Sequence, residues 1–126
     1  MTGDPYSPMV RQYFVRTSHA GDLPNAVSVA LDQQGVHLRL AGTQENGRIQ
    51  ALRFRAWGCP HVIAACECFC DHYEGRPVPE LSAFRAGDIM RKLSVPVEKT
   101  GRILVLEDAV RSLGRSFCDS SASPSS

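Results

Sequence analysis

The hydrophobic pattern of the chain changes period at one short segment, Gly58-Cys59-Pro60. Upstream of it, between residues 26 and 56, apolar and polar residues alternate, which is typical of half-buried strands. Downstream, from Pro60 onward, apolar residues recur at helical spacing. The change predicts a sheet followed by helices, so the fold class is α+β.

Three strands are predicted before the change. The first covers residues 26–32, the second begins at Val36, and the third covers residues 49–56. The segment Gln33-Gln34-Gly35 can form the first turn, and Asn46-Gly47 is a strong signal for a tight turn. We therefore expect a three-stranded antiparallel meander packed against several helices, because the helices are the available cover for its apolar face.

Helical spacing and capping residues predict the remaining elements. The expected helices cover residues 4–17, 60–74, 79–84, 87–93 and 103–117. From Asp119 the sequence D-S-S-A-S-P-S-S is too small and polar to pack. The sequence thus predicts a single domain over residues 1–117 and a disordered polar tail over residues 118–126.

Composition limits the function. The chain has 126 residues, a net charge of +1 and no basic run, so a nucleic-acid partner is not expected. No segment reaches the ~20 apolar residues that span a bilayer. The polar beginning M-T-G-D-P-Y does not resemble a signal peptide. We therefore expect a cytoplasmic protein without a membrane partner.

Three of the five cysteines, Cys66, Cys68 and Cys70, alternate along the predicted second helix. This spacing does not suit disulfides and favours reduced thiols. Cys66 and Cys70 fall on the apolar face, where cysteine acts as a small hydrophobic residue. Cys68 shares the opposite, polar face with His61 and His72, so a zinc or iron site there is an alternative.

Cys59 is the residue with the clearest chemical potential. Pro60 suits the first position of a helix, which would place Cys59 at the helix N-terminus. Unpaired N–H groups and the helix dipole favour a thiolate there, the form that binds metals or attacks sulfur. The alternative interpretation is a small buried residue in a tight turn.

Five segments together resemble the iron–sulfur cluster assembly scaffold family of the IscU and NifU N-terminal type. Between Tyr6 and Arg115 they are Y-S-P-M-V-R-Q-Y-F, F-R-A-W-G-C-P-H-V-I-A-A-C, Y-E-G-R, V-P-V-E-K and L-E-D-A-V. The resemblance implies the family's α+β fold and a role in building [2Fe–2S] clusters on three cysteines.

Only one of the family's three cysteine positions is occupied by a cysteine in this chain. Cys59 matches the middle ligand, whereas the first falls at Gln33. The family's aspartate falls at Gly35, and Asp32 is close if the loop is shifted. The resemblance therefore implies Cys59 and Asp32 as metal ligands, for iron or a transient [2Fe–2S] cluster, with zinc as a lesser alternative.

Two of the three remaining positions of the resemblance carry positive charge. The last cysteine falls at Arg102, the preceding histidine at Gly101, and Lys99 matches the lysine of the P-P-V-K segment. A guanidinium has no lone pair for a metal. It can instead pair with a thiolate and lower its pKa. Lys99 and Arg102 are therefore expected to complete the cofactor-binding set.

The resemblance implies an assembly factor and not an enzyme. We expect it to handle iron or persulfide sulfur through Cys59, with a cysteine desulfurase as partner and a chaperone as a further one. It would be a monomer or a weak dimer. Two alternatives stay open: a degenerate paralogue that binds a desulfurase or chaperone without a cluster, and a zinc-binding sulfur acceptor.

Overall fold

The computed structural model describes residues 8–58 and 60–122, with side chains up to residue 118. The strands are β1 (Val27–Gln33), β2 (Val36–Glu45) and β3 (Arg48–Trp57). The helices are α1 (Pro8–Val15), α2 (Pro60–Tyr73), α3 (Ala86–Leu93) and α4 (Thr100–Ala122), and short 3₁₀ segments span Val78–Ala83 and Val97–Lys99.

The strands form the predicted antiparallel meander in the order β1-β2-β3. Two-residue turns join them. Gln34 and Gly35 have φ of 54° and 73°, and Asn46 and Gly47 have φ of 56° and 79°. Positive φ at both central residues is the conformation that matches the twist of a hairpin, and asparagine and glycine adopt it most easily. The expected fold class is confirmed.

One face of the sheet is buried and the other is exposed. Leu38, Leu40 and Phe54 on the inner face belong to the core. Helix α2 packs against β3, and α4 packs against β1 and β2. The outer face presents residues such as Arg39 and Arg55, which are Cα partners in the β2–β3 register. The described helices therefore cover a single side of the sheet.

The segment after α1 is more ordered than the predicted loop over residues 18–25. It runs beside β3 as a short parallel bridge between Ala20 and Phe54. The Gly21 N–H donates to the Phe54 carbonyl, and the Phe54 N–H donates to the His19 carbonyl, each at 2.9 Å. These bonds satisfy part of the edge of β3, where the backbone would otherwise be unpaired.

The structure corrects the predicted bounds of the terminal helices. Helix α1 ends at Val15, two residues before Thr17, and residues 4–7 lie outside the described part. Helix α4 begins at Thr100 and reaches Ala122, so residues 118–122 are helical where a tail was predicted. Each further helical residue adds a hydrogen bond to an existing helix, and the first proline of this segment is Pro124.

Within the described residues, no helix combines the length and apolar character that a membrane crossing requires.

Candidate functional site

The junction between β3 and α2 carries the strongest chemical prediction. Cys59 itself lies outside the described residues, but its neighbours in sequence are placed. Pro60 is the first residue of α2, as predicted. A Cβ built on Gly58 would lie 3.5 Å from Val36 Cγ2, so the end of β3 stays beside the start of β2. The first turn of α2 thus begins next to the β1–β2 hairpin.

His61, in that first turn, is buried with 2% exposure. Burial lowers the pKa of His61, and the nearby Lys99 ammonium lowers it further, while Glu98 opposes them. His61 is therefore neutral at neutral pH. The charges of Lys99 and Glu98 thus lie near enough to His61 to act on its pKa, so the second 3₁₀ segment is near the beginning of α2.

The β1–β2 turn meets the beginning of α4. A Cβ built on Gly101 would lie 3.5 Å from Gln34 Oε1, which is ordinary van der Waals contact. The turn that follows Gln33 therefore touches the helix turn that carries Gly101 and Arg102. Three segments converge here: the hairpin turn, the β3–α2 junction and the α4 start.

The side chain of Asp32 lies apart from this convergence. Its Oδ2 is 3.4 Å from Nδ1 of His37, on the outer face of the sheet, and both side chains are largely exposed. The strand alternation explains this placement, because Leu31 packs against the core and its neighbour must face outward. Lys99 and Arg102 are both half-buried. The proposed ligand role of Asp32 stays a prediction.

The prediction that His61 and Cys68 lie on an exposed polar face of α2 is wrong. Cys68 and His61 are each 2% exposed, because α1, α3 and α4 contact the sides of α2 that the sheet leaves open. Cys66 and Cys70 are fully buried, as expected for small hydrophobic residues. Burial raises the pKa of both thiols well above its usual range, and the neighbouring charge of Glu67 adds to the effect.

The alternative metal site at Cys68 and His72 is not supported. His72 Nδ1 donates to the Cys68 carbonyl at 2.9 Å, and His72 Nε2 lies 2.7 Å from Lys92 Nζ. Both ring nitrogens are thus engaged. Among the residues that the structure describes, no three His, Cys, Asp or Glu side chains form a group that could hold a metal ion.

Sequence reasoning missed a network at the middle of α2. His19 Nδ1 lies 2.6 Å from Glu67 Oε2, and His19 Nε2 lies 2.9 Å from Glu74 Oε1. Glu67, which is 3% exposed, also accepts from the His19 backbone N–H at 2.9 Å and from Ser18 Oγ at 3.1 Å. The imidazole is therefore held between two carboxylates.

The electrostatics of the network favour a charged imidazolium. Burial lowers the pKa of His19, but the hydrogen bonds and charges of Glu67 and Glu74 outweigh it, and the net shift is upward. Burial raises the pKa of Glu74, yet hydrogen bonds from the Leu52 N–H and from His19, together with the Arg53 charge, lower it overall. No sequence pattern links residues so far apart in the chain.

An antiparallel three-stranded meander, covered on one side by helices among the described residues, defines an α+β domain. A family model described as "NifU-like N terminal domain" matches residues 8–115. The chain belongs to this family.

Individual relatives agree with the family. The chain is 32% identical over 124 residues to the bifunctional protein NifU/MnmA of Rubrobacter xylanophilus, covering 90% of this chain and 24% of that protein. It is 28% identical over 67 residues to the iron–sulfur cluster assembly scaffold protein IscU of Escherichia coli K12, covering 53% and 52%. The chain thus spans between a quarter and about half of these two relatives' length.

Solved structures share the fold. A putative iron–sulfur cluster assembly scaffold protein for the SUF system from Fervidobacterium islandicum matches with a TM-score of 0.58 and 19% identity, over 90% of this chain and 87% of that one. A NifU-like N-terminal protein from Brucella abortus matches with a TM-score of 0.57 and 14% identity, over 87% and 81%.

Proposed function

We propose that this protein is an assembly factor for iron–sulfur clusters and that Cys59 accepts sulfur from a cysteine desulfurase. The observation that carries the proposal is the convergence of the segments that flank Cys59 in sequence with the β1–β2 turn and the start of α4. Family membership supports the same role, since relatives carry names of cluster assembly scaffolds.

The charges near this convergence favour an anion. At His61 the charge of Lys99 has a larger effect on the pKa than the opposing charge of Glu98, and Arg102 lies in the first turn of α4. A helix N-terminus adds a positive partial charge. These charges stabilise a thiolate and a persulfide anion, whereas they oppose Fe²⁺. Sulfur acceptance is therefore the chemistry that this set of side chains suits best.

The transfer step balances without a further reactant. The Cys59 thiolate attacks the outer sulfur of a persulfide on the desulfurase. A new S–S bond forms at Cys59, the S–S bond of the donor breaks, and the desulfurase cysteine leaves as a thiolate. The outer sulfur moves as one unit, and no net oxidation occurs.

Iron or a transient [2Fe–2S] cluster is the cargo that the family implies. Cluster irons are normally held by thiolates at four positions. Gln33 and Arg102 stand where two of the family's thiolates are expected, and the Asp32 carboxylate pairs with His37 on the outer face. A cluster or a zinc ion at Cys59 would thus take further ligands from a second copy or a partner.

A chaperone is the second proposed partner. The segment Pro96–Lys99 resembles the family's P-P-V-K segment, and the side chain of Val97 within it is 87% exposed. The chaperone proposal rests on this resemblance, and the exposure of Val97 leaves the segment accessible to such a partner. This surface would serve equally in the alternative function, in which the fold binds a desulfurase or chaperone without carrying sulfur or a cluster.

The first experiment is a sulfur-transfer assay. The protein is incubated anaerobically with a cysteine desulfurase and cysteine, and the intact mass is measured. We expect a gain of one sulfur atom on the native protein and on Cys118→Ser, which controls for the exposed thiol. Cys59→Ser should show no gain. A desulfurase that still binds, with no sulfur gained by the native protein, would favour the alternative function.

A second arm distinguishes sulfur acceptance from cluster assembly. The protein is reconstituted anaerobically with iron and sulfide, and iron content and visible absorption are measured. Charge-transfer bands that are lost in Cys59→Ser, and weakened by dilution, would indicate a cluster shared between two copies. An Asp32→Asn variant tests the predicted second ligand, because it keeps the size of the side chain and removes its charge.

A further inference from the structure

A pocket of about 190 Å³ lies between the C-terminal half of α2 and α3. Its floor is a cluster of three aromatic rings. Phe69 stacks on Tyr73 with ring centroids 5.0 Å apart, and Phe84 meets the two rings edge-on at 5.2 and 5.7 Å. Phe69 and Phe84 are buried, and Tyr73 is partly exposed, so the floor is apolar and Tyr73 is the ring that another aromatic side chain can contact.

The rim of the pocket carries more positive than negative charge. Arg76, Arg85, Lys92 and Asp88 line it. The Asp88 carboxylate pairs with Arg91, and Arg76 pairs with Glu80 at 3.0 Å. In the described part of the chain, neither Lys92 nor Arg85 has a carboxylate within ion-pair distance. Two cations at the mouth thus lack a fixed counter-charge.

His72 holds one of these cations in place. Its Nδ1–H donates to the Cys68 carbonyl at 2.9 Å, so its Nε2 has a lone pair that can accept from the Lys92 ammonium at 2.7 Å. This contact fixes the ammonium group at the mouth without neutralising it. A preorganised charge loses less side-chain entropy when a ligand binds.

We propose that this pocket binds an acidic segment of a partner protein, with one bulky apolar side chain in the pocket and carboxylates on Lys92 and Arg85. The volume supports a single side chain, because pockets for drug-sized ligands measure about 300–1,000 Å³. An aromatic anchor surrounded by polar contacts is the usual arrangement of the strongest residues in an interface. The charge of the rim selects an acidic partner.

The proposal does not depend on sulfur acceptance. The pocket is built from the second half of α2, from α3 and from the residues just before α3, whereas the candidate sulfur site uses the α2 start, the β1–β2 turn and the α4 start. Each site has one of the two lysines of the chain: Lys92 lines the pocket, and Lys99 lies near His61 at the candidate sulfur site.

The probe is a hexapeptide with blocked termini and the sequence D-D-F-D-D-G. Binding to the full chain is followed by NMR shifts of the pocket residues. We expect saturation with a Kd below about 1 mM. Replacing Lys92 by Gln should raise the Kd at least about threefold, as should replacing the aspartates of the peptide by asparagines. An alanine in place of phenylalanine should abolish saturation.

Lys99→Gln is the matched control, because it removes the same charge from the other site and should leave the Kd unchanged. A Lys92→Glu variant should bind the aspartate peptide more weakly than Lys92→Gln does, because it also adds a negative charge to the rim. Absence of saturable binding by the native protein would overturn the proposal, as would equal binding by Lys92→Gln or shifts confined to the arginine-bearing outer face of the sheet. Sulfur loading of Lys92→Gln should stay native, so the two proposals fail separately.

Discussion

A partly buried histidine, His19, and a buried one, His61, show how differently the two ends of α2 are constructed. His19 lies beside the middle and C-terminal part of the helix, where hydrogen bonds and charges from Glu67 and Glu74 raise the pKa of its ring. His61 lies in the first turn, where burial and Lys99 keep its ring neutral. The surroundings therefore favour the charged imidazolium in one region and the neutral imidazole in the other.

The surroundings of His19 and of His61 suggest different roles, one in stability and the other in chemistry. Carboxylates compensate the charge of His19 and tie residues 18–19 to α2, which anchors the N-terminal segment on the sheet edge. Near His61, by contrast, Lys99 supplies a positive charge that a bound anion would compensate. We infer that the first region stabilises the fold and that the second is prepared for an anionic group such as a thiolate or persulfide.

The largest expected effect is the loss of the His19 network. Replacing Glu67 by Gln removes a buried negative charge and turns an amide N–H₂ toward groups that donate. Breaking a buried ion pair by removing one partner costs about 3–5 kcal/mol. We expect the free energy of unfolding, measured by urea denaturation, to fall by about that amount, with little change in sulfur uptake per folded molecule.

Glu80→Gln is the matched control for this prediction. Glu80 pairs with Arg76 at 3.0 Å on the surface, and both side chains are roughly half exposed. Exposed pairs contribute about 0–1 kcal/mol. Equal losses for Glu67→Gln and Glu80→Gln would contradict the assignment of the network as the anchor of the N-terminal segment.

The elements that the sequence predicted well are those with local signals. Alternation from Val36 onward, the Asn46-Gly47 turn and Pro60 at a helix start each fix a piece of backbone within a few residues. The meander and the start of α2 are therefore as expected. Helix α4 is longer than predicted, because small polar residues past Phe117 lack side chains that pack but do not by themselves end a helix.

The candidate site could be predicted only in part, because a sequence pattern does not show what packs against a helix. The sequence was enough to predict that α2 begins at Pro60, whereas the role of Lys99 rests on the family resemblance and stays a prediction. The sequence was not enough to show that His61 and Cys68 are buried, since α1, α3 and α4 supply that burial. The pairing of His19 with Glu67 and Glu74 joins residues 48 and 55 positions apart, a separation at which periodicity carries no information.

Lys99→Gln, near the N-terminal end of α2, is expected to have a smaller effect on stability than Glu67→Gln. Lys99 is half-buried and makes no ion pair recorded among the described residues. We expect the free energy of unfolding to change by less than about 0.5 kcal/mol. The rate of sulfur uptake by Cys59 should fall about threefold to fivefold, because one nearby positive charge is lost. Lys92→Gln should leave this rate unchanged.

The smallest effect is a change in how stability depends on pH. The folded pKa of His19 lies above its ordinary value of 6.5, so its stabilisation is complete below pH 6.5 and is lost as the pH rises through the folded pKa. The folded pKa of His61 lies below 6.5, so the unfolded chain takes up the proton first. Its contribution is present above pH 6.5 and is lost as the pH falls through the folded pKa.

These two titrations together predict a maximum of stability near pH 6.5, measurable as urea midpoints in a series of buffers. His19→Gln should flatten the alkaline side of the curve, and His61→Gln should flatten the acid side, whatever each substitution does to the midpoint itself. Glu74, whose pKa is lowered from 4.5, adds a further loss only at more acidic pH. If both variants changed the same side of the curve, the two histidines would share one environment, and the contrast between the two ends of α2 would be wrong.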